Sequence, residues 1–268
     1  MRRRAFTLIE LLVVITIIAL LIGLLVPVLA SARDAAMGTS CMANQDQLMV
    51  GVHAYATDNR GRIPFGPEEG KKYNPQRGGE DSGGRDFYVI DGMVTSEIFT
   101  RSGEPLGAGL MFYDYMDGAE EAFFCPGTDD EITVSSELAK IGTDSVISGY
   151  LYRHGGNTFV DLIQFNTSPT TKRMDSRTRI DQLGLNREGE QITALFADNN
   201  FQTASGSTFE FLDRSNHDRV FSNIAYADGH VEQRSNRDDY YVADIGGTTL
   251  INGLDRILRV FERADVNE

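Results

Sequence analysis

Four side chains in the second half of the chain have the chemistry of metal ligands. Asp198 follows one apolar run, and His217, Asp228 and His230 flank another. Imidazole nitrogens and carboxylate oxygens bind divalent cations, so a site at the ends of neighbouring strands would bring these donors together. Such an ion would stabilise the fold, or it would serve an exported metal-dependent hydrolase. The spacing alone is not specific for a metal.

The dipeptide Asp228–Gly229 also has a purely structural interpretation. It lies between two apolar runs, and Asp-Gly is among the strongest short-range signals for a β-hairpin. The sequence contains no nucleophile elbow, P-loop, His-Glu-x-x-His or paired Cys-x-x-Cys motif. We therefore expect a protein that is not an enzyme and has no cofactor, apart from a structural divalent cation such as calcium.

Glu10 is the only charge in an apolar run over residues 6–30, which follows three arginines at 2–4. As a helix this run is about 37 Å long, enough to cross a hydrocarbon layer of about 30 Å. A charge within lipid costs up to about 2.5 to 3.5 kcal/mol, so such a residue is expected to be functional. Alternatively, Glu10 forms a capping box with Thr7 at the helix start.

The flanking charges predict the orientation of this segment. By the positive-inside rule the N-terminus is cytoplasmic and the rest of the chain is exported. The alternative is a cleaved secretory signal, since residues 30–32 read Ala-Ser-Ala. The apolar core of such signals is about 7 to 15 residues, shorter than the run here.

Residues 5–14, Ala-Phe-Thr-Leu-Ile-Glu-Leu-Leu-Val-Val, resemble the leader junction of type IV pilins and type II secretion pseudopilins. The resemblance implies that residues 1–5 are a leader, that a prepilin peptidase cuts between Ala5 and Phe6, and that Phe6 is then N-methylated. The family usually has glycine at the position of Ala5. It also implies a filament subunit of the inner membrane, whose partners are other subunits, the peptidase and the assembly platform.

After such a cut, the new amine of Phe6 lies one helical turn from Glu10. In a filament of staggered subunits, the amine of one subunit would meet the carboxylate of the next, where each charge alone costs several kcal/mol. Glu10 is therefore predicted to direct assembly. Pro27 removes one helical hydrogen bond and is predicted either to kink the helix or to mark the end of the membrane span.

A helical stalk is predicted over residues 31–60. Residues at steps of three and four would share one face, and Gly61 and Pro64 would end the helix. The residues on that face are Met37, Cys41, Asn44, Leu48, Val52 and Tyr55.

The remaining residues, 61–268, are predicted to form an exported head. Short apolar or alternating runs predict strands at 87–90, 122–125, 147–152, 192–197 and 222–227, with another at Val231. Short helices are expected at 106–116 and 132–141, and Leu250, Leu254, Ile257, Leu258 and Phe261 predict a C-terminal amphipathic helix. The fold class is thus α+β, with the long N-terminal helix packed on an antiparallel sheet.

Two further segments resemble pseudopilin-like proteins that carry a His-x9-Asp-Gly C-terminal domain. They are the stalk from Cys41 to Pro64 and the segment from His217 to Gly229. Ten residues separate His217 from Asp228 here, so we expect a bulge or a wider loop between them.

The only two cysteines, Cys41 and Cys125, both fall in the exported part. They either form a disulfide that joins head to stalk or remain two buried thiols. Without the arginines at 2–4 the net charge falls from −14 to −17, so nucleic acid is not an expected partner. A membrane-anchored or secreted protein that binds carbohydrate or protein remains the alternative function.

We predict that the mature chain begins at N-methylated Phe6. N-terminal sequencing and intact mass of the chain, expressed with a prepilin peptidase and purified from membranes, would measure this. Ala5→Gly supplies the family's usual residue and should be cut at least as fast. A mature chain that begins at Arg33 would contradict the prediction.

Overall fold

The computed structural model describes residues 8–65, 94–99, 103–128, 133–154, 178–186, 188–202, 215–244 and 250–266. Its first element, α1 (Leu8–Asp58), is a single helix of 51 residues, or about 77 Å. Arg60 and Gly61 then adopt left-handed φ values of 61° and 83°, and the chain leaves the helix before Pro64. The predicted end of the stalk helix is confirmed.

The two halves of α1 have different surroundings. Residues 8–36 are exposed, although they are mainly apolar, and this half is long and apolar enough to cross a membrane. α1 continues through Pro27 without ending. From Gly38 onward one face packs on the head, and the predicted face residues Cys41, Leu48 and Val52 are fully buried.

Five strands form the main sheet of the head. They are β1 (Val94–Phe99), β2 (Val146–Arg153), β3 (Ala194–Asp198), β5 (Phe221–Tyr226) and β6 (Val231–Ser235), and they pair in that order, all antiparallel. Two short strands, β4 (Phe201–Gln202) and β7 (Ala243–Asp244), pair in parallel. With α2 (Val134–Leu138) and α3 (Leu250–Asp265), this is the predicted α+β class.

The sequence located most but not all of these elements. The runs at 147–152, 192–197, 222–227 and Val231 lie in β2, β3, β5 and β6, and the C-terminal helix is α3. The strand predicted at 122–125 is wrong, because a 3₁₀ helix occupies Glu120–Phe123. Both short helices are shorter than expected. A 3₁₀ helix at Gly107–Met111 stands in place of the one at 106–116, and α2 stands in place of the one at 132–141. The run at 87–90 lies outside the described residues, and β1 was not predicted.

The sheet carries a helix on each face. Successive residues of a strand point to opposite faces, so Tyr150 of β2 packs in the core beneath α1 while Leu151 faces α3. On the α1 side, Leu48 and Val52 belong to the same cluster as Phe196. The core therefore has two layers, and the stalk supplies one wall of the first.

Glycine permits the closest approach of α1 to the sheet. A Cβ added to Gly38 would lie 2.7 Å from the ring of Phe221, at the start of β5. Farther along the helix, a Cβ at Gly51 would lie 2.7 Å from the sulfur of Met116. Both positions face the head, so a side chain at either one would push α1 away from it.

A buried ion pair holds α3 to the other face. Arg153, the last residue of β2, lies 2.8 Å from Asp265, and both side chains are almost fully buried. Asp265 also accepts hydrogen bonds from the backbone of Thr193 and Ala194 and from the amide of Asn186. The carboxylate is thus surrounded by donors from two different parts of the head.

We predict that Arg153→Met destabilises the head by about 3 to 5 kcal/mol, because it leaves the Asp265 carboxylate buried without its cation. Denaturant unfolding of the full chain in detergent would measure this free energy. The matched control, Asp181→Asn, breaks the exposed pair of Arg179 and Asp181 and should change nothing measurable. Equal effects of the two variants would contradict the prediction.

Candidate functional site: the N-terminal segment and the stalk–head junction

The first candidate site is the start of α1. Glu10 lies in the first turn of the helix, on its exposed surface, among side chains that are otherwise apolar. Ala5, Phe6 and Thr7 lie outside the described residues, so cleavage, methylation and the capping box stay predictions. The exposed surface of residues 8–36 therefore combines a long apolar area with one carboxylate near its end.

The second candidate site is the junction of stalk and head, where Cys41 of α1 is joined to Cys125 in a disulfide. The bridge closes 84 residues of chain, which in the chain-entropy account contributes about 4.5 kcal/mol to stability. Gly149 of β2 allows this arrangement, because a Cβ there would lie 2.4 Å from the backbone nitrogen of Cys125. The structure thus contains the bridge rather than two thiols.

Asp198, at the end of β3, is the buried centre of this junction. Its Oδ2 accepts a hydrogen bond of 2.7 Å from the backbone of Asn223, and its Oδ1 accepts one of 3.2 Å from Gln45 of α1. Gln45 also donates to the carbonyl of Asn223. Burial raises the pKa of Asp198 to about 7, well above the ordinary value for a carboxyl group.

His217 lies between Asp198 and the disulfide. Its Nε2 is 3.4 Å from Cys125 Sγ and 3.7 Å from Asp198 Oδ2, and its ring stacks on Phe221. Burial lowers the pKa of His217 to about 4, so the imidazole is neutral at pH 7. A Cβ at Gly127 would lie 2.3 Å from this ring, so glycine is needed there.

The backbone adopts an unusual turn at His217. His217, Asp218 and Arg219 have φ values of 55°, 50° and 59°, a left-handed turn directly before β5. Each such non-glycine residue costs about 1 to 2 kcal/mol, which the buried contacts of His217 must offset. The backbone irregularity in this segment lies beside the histidine, before β5.

The structure corrects the predicted metal site. Asp198 and His217 lie at one end of β5, whereas Asp228 and His230 lie in the exposed turn at its other end. The six residues of β5 separate the two pairs by about 17 Å. The four side chains do not converge, because the segments before and after a strand necessarily lie at opposite ends of it.

The Asp228–Gly229 turn itself is as predicted. Gly229 has a φ of 96° and donates a 2.9 Å hydrogen bond to the carbonyl of Tyr226, which closes the β5–β6 hairpin. His230 Nδ1 lies 2.6 Å from Asp228 Oδ1, and the pair is exposed. These two residues stabilise a turn.

The structure brings together a set of donors that the sequence analysis missed. Within the described part of the chain, one group of three or more metal-ligating residues lies close together: Cys41, Cys125 and His217, with donor atoms within 4.8 Å of one another. His217 and Cys125 are 92 residues apart in sequence, so no local spacing connects them. The expected pairing of the only two cysteines was the one feature of the sequence that pointed to this group.

Comparison with known proteins bears on the first site. Residues 1–26 match the family model described as the prokaryotic N-terminal methylation motif. The match supports a type IV pilin-like or pseudopilin family for this N-terminal segment. No curated protein and no solved structure matches the chain. The His-x9-Asp-Gly resemblance of the head therefore stays a prediction.

The match and the structure concern the same element. The matched residues include residues 8–26 of the exposed half of α1, with Glu10 in its first turn. The motif is that of prepilin-peptidase substrates, and the long apolar helix is consistent with a membrane anchor. The junction, by contrast, is buried within the head, where the disulfide, Asp198 and Gln45 connect α1 to the sheet.

The two titrating groups of the junction affect stability in opposite directions. Asp198 keeps its proton in the folded chain up to about pH 7, whereas the unfolded carboxyl loses it near pH 3.8, so its contribution to stability falls as the pH rises between these values. His217 is neutral in the folded chain above about pH 4, whereas unfolded histidine is protonated below 6.5, so its contribution rises over that interval.

We predict that Asp198→Asn gains stability relative to the wild type as the pH rises from 4 to 7. The gain is about 1.4 kcal/mol per pH unit, because only the wild type must take up a proton at this position when it folds. Denaturant unfolding of both chains across this range would measure it, and the loss of one acceptor adds the same offset at every pH. Asp228→Asn, at the exposed turn, is the control and should show no such rise. The prediction would be contradicted if the difference in unfolding free energy between Asp198→Asn and the wild type did not change with pH.

Proposed function

We propose that this chain is a structural subunit of a type IV pilus-like or type II secretion pseudopilus filament, cut by prepilin peptidase after Ala5 and N-methylated at Phe6. The observation that supports this most is the form of α1. An apolar half that is exposed on all sides continues without interruption into a half that is part of the core of the head.

The exposed half of α1 needs a covering. Residues 8–36 contain most of the large exposed apolar side chains of the described chain. Surfaces of this size are covered either by lipid or by protein. In the proposal, lipid covers the helix while the subunit is in the inner membrane, and the same helices of neighbouring subunits cover it in the filament.

Glu10 distinguishes a filament subunit from a simple anchor. An anchor needs only apolar residues, and a carboxylate within lipid opposes insertion. In a filament, Glu10 would pair with the methylated amine of a neighbouring subunit, which favours one axial stagger over the others. The second candidate is a membrane-anchored binding protein, which does not require a carboxylate at position 10.

The proposal also fixes location and partners. The subunit crosses the inner membrane once, with a cytoplasmic N-terminus and a head in the periplasm or outside the cell, as the arginines at 2–4 favour. Its partners are other pilin or pseudopilin subunits, the prepilin peptidase and the assembly platform. We propose a structural rather than a catalytic role for the junction, because Asp198 and His217 are buried among groups that connect stalk to head.

We predict that Glu10→Ala abolishes or misregisters filament assembly while leaving cleavage and membrane insertion intact. Sheared filaments are quantified by immunoblot and electron microscopy in cells that carry the assembly machinery. Insertion is checked by carbonate extraction of membranes, and cleavage by intact mass.

The matched control is Thr16→Ala, which removes another polar group from the same exposed half. The Thr16 hydroxyl bonds to the carbonyl of Leu12 within its own helix, so its loss should leave filament yield unchanged. Normal filaments from Glu10→Ala would overturn the role of Glu10. An absence of filaments from the wild type, with the chain held in the membrane, would favour the anchored binding protein.

A further inference from the structure

We propose that the dithiol form of this chain binds one zinc ion at the stalk–head junction through Cys41, Cys125, His217 and Asp198. The chain is synthesised with both cysteines as thiols, so this form precedes the disulfide. Binding replaces the two thiol protons by the metal and releases them to water. No oxidation or reduction is part of this step.

The distances around His217 are those of ligands that share a metal. Tetrahedral zinc, with bonds of about 2.0 to 2.3 Å, places its ligand atoms about 3.3 to 3.8 Å apart. His217 Nε2 lies 3.4 Å from Cys125 Sγ and 3.7 Å from Asp198 Oδ2. The donor atoms of His217 and both cysteines lie within 4.8 Å of one another. One nitrogen and two sulfurs therefore lie around a common point, with the Asp198 carboxylate beside the nitrogen. The two sulfurs are bonded at 2.09 Å in the disulfide, and reduction lets them separate to the spacing of zinc ligands.

Neighbouring groups already orient these ligands. The backbone nitrogen of Gly127 donates a 3.3 Å hydrogen bond to Cys125 Sγ, and Gln45 and Asn223 hold the carboxylate of Asp198. Phe221 and Gly127 fix the plane of the imidazole from its two sides. Supporting contacts of this kind position metal ligands and raise affinity.

The donor set selects zinc over harder cations. Two thiolates and an imidazole suit zinc, whereas calcium and magnesium require oxygen ligands, of which Asp198 supplies a single side chain. The ligands come from α1, from the loop after residue 123, from the end of β3 and from the turn before β5. A metal held by all four elements would connect stalk to head before any disulfide forms.

A surface cavity reaches one of the proposed ligands. A surface cavity of about 480 Å³ adjoins the junction, and Ser40, Asn44, Cys125 and Thr128 line it. Cys125 therefore lies between the cavity and His217. This inference concerns the stalk–head junction and does not depend on the filament role proposed above.

The test is a metal titration of the full chain in detergent. The chain is reduced with a phosphine, freed of metal, and titrated with cobalt(II), whose charge-transfer absorption reports thiolate ligands. Zinc is then added to displace the cobalt. We expect one equivalent of either metal per chain, protection of both thiols from alkylation by zinc, and no such binding by the disulfide form.

Variants identify the ligands. His217→Ala should weaken binding ten-fold or more, and Asp198→Asn should weaken it and change the cobalt spectrum. His230→Ala, which removes an exposed histidine of the β5–β6 turn, is the matched control and should bind as the wild type does.

Three results would overturn the inference. They are the absence of a thiolate–cobalt band in the reduced wild type, equal binding by the disulfide form, and wild-type affinity in His217→Ala. If reduction unfolds the metal-free chain, added zinc should restore its circular dichroism. The absence of a thiolate–cobalt band therefore counts against the inference whether the reduced chain is folded or not. Filament assembly is not a readout here, so a failure of this inference leaves the proposed function untouched.

Discussion

The structure depends on one constraint: the two halves of a single helix, α1, lie in different surroundings. One half is exposed and the other is packed on the head. Residues 8–30 of α1 are apolar on nearly every side, so they need a covering all round. From Gly38 onward only one face is apolar, and that face completes the core of the head through Leu48 and Val52. Because both halves belong to one helix, the packing of the buried half sets the direction in which the exposed half leaves the head.

The central strand β3 connects this helix to the rest of the head. A buried carboxylate lies at each end of β3, one from β3 itself and one from α3. At its end, Asp198 binds Gln45 of α1; at its start, the backbone of Ala194 donates to Asp265 of α3. The two carboxylates thus fasten one helix to each face of the sheet. Backbone and side-chain donors satisfy each carboxylate. These bonds fix both the direction of each helix and its distance from the sheet.

The sequence was informative wherever a local pattern determined the structure. The spacing of Cys41, Leu48 and Val52 predicted the buried face of the stalk, and Asp228–Gly229 predicted the hairpin. It failed at 122–125, because four successive apolar residues fit a buried 3₁₀ turn as well as a strand. It also missed β1, whose Thr95, Ser96 and Glu97 interrupt the apolar pattern of a strand.

The junction could not be predicted for a different reason. Asp198, His217 and Cys125 meet only because the antiparallel order places β3 beside β5 and the stalk across both. Their meeting is a product of topology, which no local spacing encodes. For the same reason Asp228 and His230, which stand closer to His217 in sequence, lie at the far end of β5. Asp228 and His230 were assigned as ligands because they are close to His217 in sequence. The disulfide partner Cys125 was the better indication of what lies near His217.

The position of Gly38 has a consequence for the height of the head above a lipid surface. The head first touches α1 there, and the 29 residues from 8 to 36 extend about 43 Å before that contact. A hydrocarbon layer takes up about 30 Å of this length. About 13 Å of bare helix is left over, close to the depth of one layer of lipid headgroups. In the proposed membrane-bound state, the head would therefore stand just clear of the headgroups.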